Sequence, residues 1–284
     1  MSVDFDAQTY KETTREQWQT AADAWLRWHP TLQEWLGAAT NELLEMASIG
    51  PGNRVLDIAA GTGQQSIQAA RLVGTSGSVL ATDISSNILD LAAQEAAAVG
   101  LANLETQVMD AEQLALPDAS FDAVISRLGF MYLPHLQTAL AGMRRVLKPG
   151  GRVAALVFST PETNKFFSLP VSIIRRRAHL PSPVPGRPGP FSLGAAGVLE
   201  DAYLRAGFSD PVVKTIDAPL RMRSARECVQ FERESFGALQ QMLSGLSESE
   251  REATWQEIEE ALQAFDEPDG FVAPCQIRIG AATR

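Results

Sequence analysis

Cysteine is nearly absent from this 284-residue chain: Cys228 and Cys275 are the only two, far apart and without C-x-x-C spacing. That pattern argues against a disulfide framework and a thiolate metal site, and leaves two buried thiols in a reducing cytoplasm as the expectation. No H-x-x-x-H, D-x-D-x-D or Cys cluster occurs, so no metal is expected. Positive charge is scarce as well. Lys and Arg number 24 against 34 Asp and Glu, for a formal net charge of −10. A phosphate backbone needs a dense basic footprint, so nucleic acid is not an expected partner. Long apolar runs are also missing. Residues 153–158 form one of the longest, far too short to span a bilayer, and no apolar signal region opens the chain, so neither membrane insertion nor secretion is expected. There is no tandem repeat. What remains is an ordinary globular composition, 45% hydrophobic and 20% charged, long enough for one sizeable core.

The rest of the chain is organised around residues 53–63, NRVLDIAAGTG. Residues 54–58 are a short apolar run suited to a strand buried on both faces of a parallel sheet. Gly61 and Gly63 follow, able to take positive φ and to let a ligand approach the backbone. Residues 64–73 then read as a helix whose first N–H groups and positive dipole end face the turn. Strand, Gly turn and helix N-terminus make a place for the polar part of a nucleotide-like ligand. About twenty residues on, the strand 78–83 ends in Asp83, where an acid can hydrogen-bond both hydroxyls of a ribose. A third strand, 104–110, ends in Asp110 beside Ala111. The strand 121–127, a helix, and LKPGG opening the strand 152–158 complete the series.

The ordered set VLDIAAGTG, ATDIS, MDAEQLALPDASFDAVISR and RRVLKPGGRV resembles the class I methyltransferases that use S-adenosylmethionine, over residues 51–158 and more weakly to 208. LPDASFD and RRVLKPGG are phrased as in the branch that includes the C-methyltransferases of ubiquinone and menaquinone synthesis. The resemblance implies methyl transfer from S-adenosylmethionine to a small aromatic or hydrophobic acceptor. It also implies that Gly61 and Gly63 approach the cofactor's ribose and methionine portion, that Asp83, followed by Ile84, binds the ribose, and that Asp110 and Ala111 face the adenine. The main chain near Ser126 and Arg127 would meet the methionine amino group, and Asp57 would brace the Gly turn or contact that amine. The family usually carries Gly where this chain has Ala59, which bears on turn geometry and affinity rather than on cofactor identity. Two rivals share the Gly turn. A nicotinamide-dependent oxidoreductase would want a third glycine where Ser66 stands and a Tyr-x-x-x-Lys pair; a non-catalytic protein with the same fold would need neither.

The expected fold is a doubly wound α/β, Rossmann-like sheet of about seven strands, mostly parallel, with one antiparallel strand near the carboxyl end. Residues 1–11 read as a polar arm. Helices at 14–29, ended by Pro30, and at 32–47 would form an N-terminal cap over residues 1–50. The methyltransferase domain would occupy 51–284, with an inserted lid at 159–192 and a helical insertion at 223–266, the latter holding two long helices, one of them capped by Ser247 and Glu250. The last strand is expected at 271–282. Trp25 and Trp28 in the cap, Phe130 and Met131 past the fourth strand, and Phe166 and Phe167 in the lid are candidate substrate contacts. Tyr132 and His135 are the nearby groups able to move a proton. Arg175, Arg176 and Arg177 read as a solvated face, with attraction of an acidic substrate as the minor alternative.

Overall fold

A computed structural model describes residues 5–182, 184 and 186–284. Residues 1–4 of the expected arm, and Pro183 and Pro185 of the expected lid, lie outside these. The chain begins with helices α1 (Ala7–Arg27) and α2 (His29–Met46) and then alternates: β1 (Arg54–Ile58), α3 (Gln64–Val73), β2 (Ser78–Asp83), α4 (Ser86–Ala98), β3 (Leu104–Val108), β4 (Phe121–Arg127), α5 (Leu136–Val146), β5 (Leu147–Phe158), α6 (Lys165–Arg177), α7 (Val198–Arg205) and β6 (Ser209–Asp217). Strand β7 (Leu220–Met222) leads to α8 (Ala225–Ser235), α9 (Gly237–Met242) and α10 (Glu248–Leu262). Strands β8 (Asp266–Glu267), β9 (Gly270–Ala273) and β10 (Gln276–Thr283) follow.

Seven strands form one sheet in the order β3-β2-β1-β4-β5-β10-β6. β10 alone runs antiparallel to its neighbours, β5 and β6, as expected. The strand order reverses between β1 and β4. Right-handed crossovers leading away from that point in opposite directions put α3 and α4 on one face and α5 on the other. The crevice between the carboxyl ends of β1 and β4 is where open sheets of this kind accept ligands. β1 and β4 are buried along nearly their whole length, so both read as apolar runs rather than as alternation. Gly280 on β10 has no Cβ, which lets Leu199 and Tyr203 of α7 lie against the sheet there.

Several boundaries differ from expectation. The expected polar arm is helical from Ala7, because Asp6 caps the helix, its Oδ1 accepting from the Gln8 and Thr9 amides at 3.0 and 3.3 Å. Pro30 begins α2 instead of ending α1, since the first turn of a helix has no use for the missing N–H. The expected last strand is two strands. β9 joins β7 and β8 in a separate three-stranded sheet, and the chain passes through Pro274 and Cys275 before β10 enters the main sheet. The expected helix from 223 breaks at Phe236, whose backbone is not helical, while α10 has the expected capping box. In the expected lid, α6 runs through Pro170. Arg176 and Arg177 both grip Glu257 of α10, so two of the three arginines fasten helices together.

An aromatic cluster joins these helices to the sheet. The Trp35 ring stacks on Phe158 at 6.0 Å and meets Phe166 edge-on at 5.0 Å, and Phe167 lies 4.7 Å from Phe236. Three indoles find acceptors: Trp25 Nε1 donates to the Ser235 carbonyl at 2.8 Å, Trp28 Nε1 to Glu234 at 2.9 Å and Trp35 Nε1 to the Ala218 carbonyl at 2.8 Å. Trp35→Ala would empty the centre of this cluster and leave the Ala218 carbonyl unpaired. It should cost about 3–5 kcal/mol in urea unfolding, and Trp35→Phe distinctly less. Equal losses for the two variants would show that ring packing is not what Trp35 contributes.

Candidate active site

The turn after β1 depends on backbone conformations closed to most residues. Ala59, Gly61 and Gly63 have φ of 55°, 58° and 81°. For Ala59 the left-handed conformation costs about 1–2 kcal/mol, and its methyl group finds room only because its neighbour Gly129 has none: a Cβ on Gly129 would lie 2.6 Å from that of Ala59. Gly63 also lacks space, since a Cβ there would meet Ala92 of α4 at 2.8 Å. Hydrogen bonds fasten the turn to β2. The Ala60 amide donates to the Thr82 carbonyl at 2.9 Å, and the Gly61 amide to Asp83 Oδ2 at 3.0 Å. Gln65 Nε2 closes the turn from α3 by donating to the Ala60 carbonyl at 3.0 Å.

Above the turn lies a cleft of about 1010 Å³, counted with its open mouth. Its floor is the strand ends: Ala59 and Gly61 after β1, Asp83 and Ile84 at β2, Asp110 and Ala111 past β3, and Arg127 to Gly129 at β4. Leu128 has φ of 62°, uncommon for so bulky a residue, and it lines the cleft. The α1 residues Lys11, Thr14, Trp18 and Trp25 form the roof, and Tyr132, Leu133 and Pro134 close one end. Asp83 is held by two amides, Gly61 on Oδ2 and Ser85 on Oδ1, both at 3.0 Å. Each oxygen retains a further lone pair for a ligand hydroxyl. Asp110 accepts from the Glu112 amide at 2.9 Å and from Lys11 Nζ at 2.7 Å, and Lys11 also reaches Glu112 at 2.5 Å. Burial works against the Lys11 charge, but these two carboxylates outweigh it and hold the ammonium above its ordinary pKa.

Two ionisable groups meet here, Asp57 beneath the floor and the half-buried Arg127 within it. Asp57 is fully buried; its Oδ2 accepts from Ser66 Oγ at 2.5 Å and its Oδ1 has no partner. Burial pushes its pKa up to about 7, against the pull of Ser66 and Arg127. Arg127, brought down to about 10 by burial, donates to Gln64 Oε1 at 2.9 Å and Thr40 Oγ1 at 3.3 Å. Beside them, His29 meets Thr62 Oγ1 at 2.7 Å, and burial lowers its pKa.

Of the residues singled out in the sequence, Ala59, Gly61, Asp83, Ile84, Asp110, Ala111, Arg127, Tyr132 and Trp25 line the cleft. Asp57, Gly63 and Ser126 support it from below. The others are corrections. Phe130, Met131, Phe166 and Phe167 are buried to within about 1% and serve the core, and Trp28 packs on Phe231 away from the cleft wall. His135 is exposed at the start of α5, its amide donating to Glu112, and is not part of the wall. Tyr132 is in place, but burial raises its pKa and favours the protonated phenol. Among the described residues no three His, Cys, Asp or Glu side chains are grouped to hold a metal ion. Lys11, His29 and Leu128 carry no sequence signal as site residues, whereas Trp18 stands at helical spacing from Trp25 and Trp28 in α1 and lines the cleft with Trp25.

Asp57 makes a pH test possible. Between about pH 4 and 7 the folded protein keeps a proton that the unfolded chain has released, so stability falls as pH rises through that window, by up to about 4 kcal/mol. Asp57→Asn has no such proton and should gain on the parent as pH goes from 4 to 7.5. A stability difference that stays constant across that range would show that Asp57 titrates like an exposed acid.

Residues 55–151 match a family described as a methyltransferase domain. The chain is 43% identical over 126 residues to the ubiquinone/menaquinone biosynthesis C-methyltransferase UbiE of Pseudomonas putida, an alignment covering 44% of this chain and 49% of that one. It thus spans about half the length of the curated relatives it matches. Among solved structures, the YcgJ protein of Bacillus subtilis superposes with a TM-score of 0.57 at 16% identity, over 87% of this chain and 98% of that one. Phosphoethanolamine N-methyltransferase 2 of Haemonchus contortus, solved with S-adenosylhomocysteine, does so with a TM-score of 0.60 at 18% identity, over 97% of this chain and 60% of that one. These two likenesses establish the fold. Residues 55–151 thus match a methyltransferase-domain family, and over 126 residues the chain resembles the ubiquinone/menaquinone C-methyltransferases.

Proposed function

We propose that the protein transfers a methyl group from S-adenosylmethionine to a small, flat, largely apolar acceptor, and that a quinol-like or hydroxyaryl ring is the class to try first. The observation that carries this is one cleft with two kinds of wall. A polar floor of strand ends suits a nucleoside, and Trp18, Trp25 and Tyr132 offer ring faces and edges, the Trp18 ring lying 5.4 Å from Trp25 and 6.0 Å from Tyr132. The acceptor class also agrees with the C-methyltransferases that the chain resembles over half their length.

In this reading Asp83 holds the ribose hydroxyls, Asp110 and Ala111 face the adenine with Ile84 against its ring, and the main chain at Ala59 and Ser126 meets the methionine amino group. The cofactor supplies a methyl group on a sulfonium, already activated toward displacement. The chain's own residues align donor and acceptor and keep water out, which for a displacement of this type is the larger part of catalysis. Trp25, tied to the Ser235 carbonyl, joins the helices of residues 1–50 to those of 223–266 over one end of the cleft, and we assign both segments to a cap on the acceptor side. Tyr132 remains protonated and can donate a hydrogen bond to an acceptor oxygen.

Calorimetry should find binding of S-adenosylmethionine and S-adenosylhomocysteine and none of NAD. Asp83→Ala, checked for folding by thermal melting, should lose on the order of a hundredfold in affinity for S-adenosylhomocysteine, the equivalent of about 2–3 kcal/mol in charge-assisted hydrogen bonds. Parental affinity in that variant would remove Asp83 from the ribose. Incubation with labelled cofactor and a panel of quinol-like and hydroxyaryl acceptors, read by mass, tests the acceptor class; transfer only to aliphatic amines would overturn it.

A further inference from the structure

Two rings of the cleft wall carry hydrogen-bond donors that the protein leaves unused. Trp25, Trp28 and Trp35 give their Nε1 to the Ser235 carbonyl, Glu234 and the Ala218 carbonyl. Trp18 differs. Among the described residues its Nε1 has no acceptor and neither has Tyr132 Oη, although both residues line the cleft and neither polar atom is sealed from solvent. The two rings meet edge-on, 6.0 Å apart at 75°, so an N–H and an O–H belong to one stretch of wall. Both rings are held from behind. Trp18 packs on Trp25 at 5.4 Å, which is itself tied to Ser235, and Tyr132 ends the single turn Phe130–Tyr132, whose first two side chains are buried in the core. Carboxylates do not compete for these donors: of the two that line the cleft, Asp83 is engaged with two amides and Asp110 with Lys11. The titratable group that bears on Tyr132 is a second phenol, Tyr10, and burial favours the protonated form of both.

An indole N–H only donates, and a protonated phenol donates to an oxygen that offers a lone pair. Two such donors in a wall that continues with Leu133 and Pro134 suit an oxygen that brings lone pairs and no hydrogen. We infer that Trp18 Nε1 and Tyr132 Oη together form the seat of the acceptor's ring oxygen, and that they take it as a phenolate. This rests on the acceptor reading above and deepens it, because the class bound becomes the ionised form of a hydroxyaryl ring and not the flat ring alone. The hydroxyl proton leaves to solvent through the mouth of the cleft, and the charge left on oxygen is held by two hydrogen bonds that the charge itself strengthens. A phenolate is a stronger nucleophile than a phenol, both at oxygen and at the ring carbons that share its charge. The seat therefore activates the acceptor toward an electrophilic methyl group without a side-chain base.

The probe is 4-nitrophenol, whose absorbance reports its ionisation, with 4-nitroanisole as the same ring lacking an ionisable oxygen. Below the probe's own pKa, adding the parent protein, with and without S-adenosylhomocysteine, should raise the ratio of phenolate to phenol in the bound probe about tenfold or more over that in solution. Tyr132→Phe removes one donor and keeps the ring. It should weaken phenolate binding about ten- to a hundredfold and change 4-nitroanisole affinity less than about threefold. Trp18→Phe should act in the same direction, losing more for 4-nitrophenol than for 4-nitroanisole. A probe that binds the parent as the neutral phenol, or does not bind, overturns the assignment. Variants that match the parent, or that lose equally for both ligands, overturn it as well, the rings then being walls only. If a variant does not fold, the ionisation of the probe on the parent decides alone. Phenolate taken up by a parent that binds no S-adenosylhomocysteine would support the oxygen seat and refute the methyl-transfer reading instead.

Discussion

The hydrogen bond from the Gly61 amide to the Asp83 carboxylate is one of two that link the loop after β1 to the end of β2, and much of the site depends on it. The loop has few side chains of its own to hold it and carries three residues in the left-handed region. Without an acceptor from β2 the Gly61 amide would be left in a partly buried place with no partner, a cost of about 1–3 kcal/mol. With it, α3 starts where Ser66 can reach Asp57 and where Gln64 can reach Arg127. The cleft floor is thus an assembly of strand ends cross-linked by polar contacts, and its shape follows from satisfying groups that the parallel ladder leaves over.

The central elements were legible because the physics that forms them is local. β1, β2, α3 and β4 lie where the sequence placed them, since each is an apolar run or a helical period bounded by Gly, Asp or Ser. What could not be read are features decided by distant partners. Lys11 looks like one more polar residue near the start of the chain; only folding brings it to Asp110, 99 positions away. Phe166 and Phe167 were assigned to a pocket because an aromatic pair in an insertion carries the same signal whether it meets a ligand or Trp35 and Phe236. The split between β9 and β10 was hidden in the same way. Apolar residues continue through Pro274, and only the registry with β5 and β7 divides them.

The helices of residues 1–50 and 223–266 have a physical reason to act together. Trp25, Trp28 and Arg27 of the first segment bond to Ser235 and Glu234 of the second, and Phe231 and Phe236 complete the packing. A change on either side reaches the other through these ring contacts, because close-packed side chains transmit strain. The end of the cleft at Trp25 is therefore tied to both segments, whereas the end at Asp83 and Asp110 is shaped by the strands, with Lys11 laid across it.

The position of β10 bears on how the polypeptide comes off the ribosome. This strand sits inside the sheet, between β5 and β6, yet it is made about sixty residues after β6. Until it emerges, β5 and β6 have no partner on the side they will share, and each presents an open ladder to whatever chain lies nearby. The four strands β3, β2, β1 and β4, with the Gly turn among them, can pair as soon as they are synthesised. The cleft floor between Ala59 and Asp83 can therefore form early in synthesis, while the β5, β10 and β6 half of the sheet waits for a late and long-range closure, the slow and aggregation-exposed kind of step in a folding reaction.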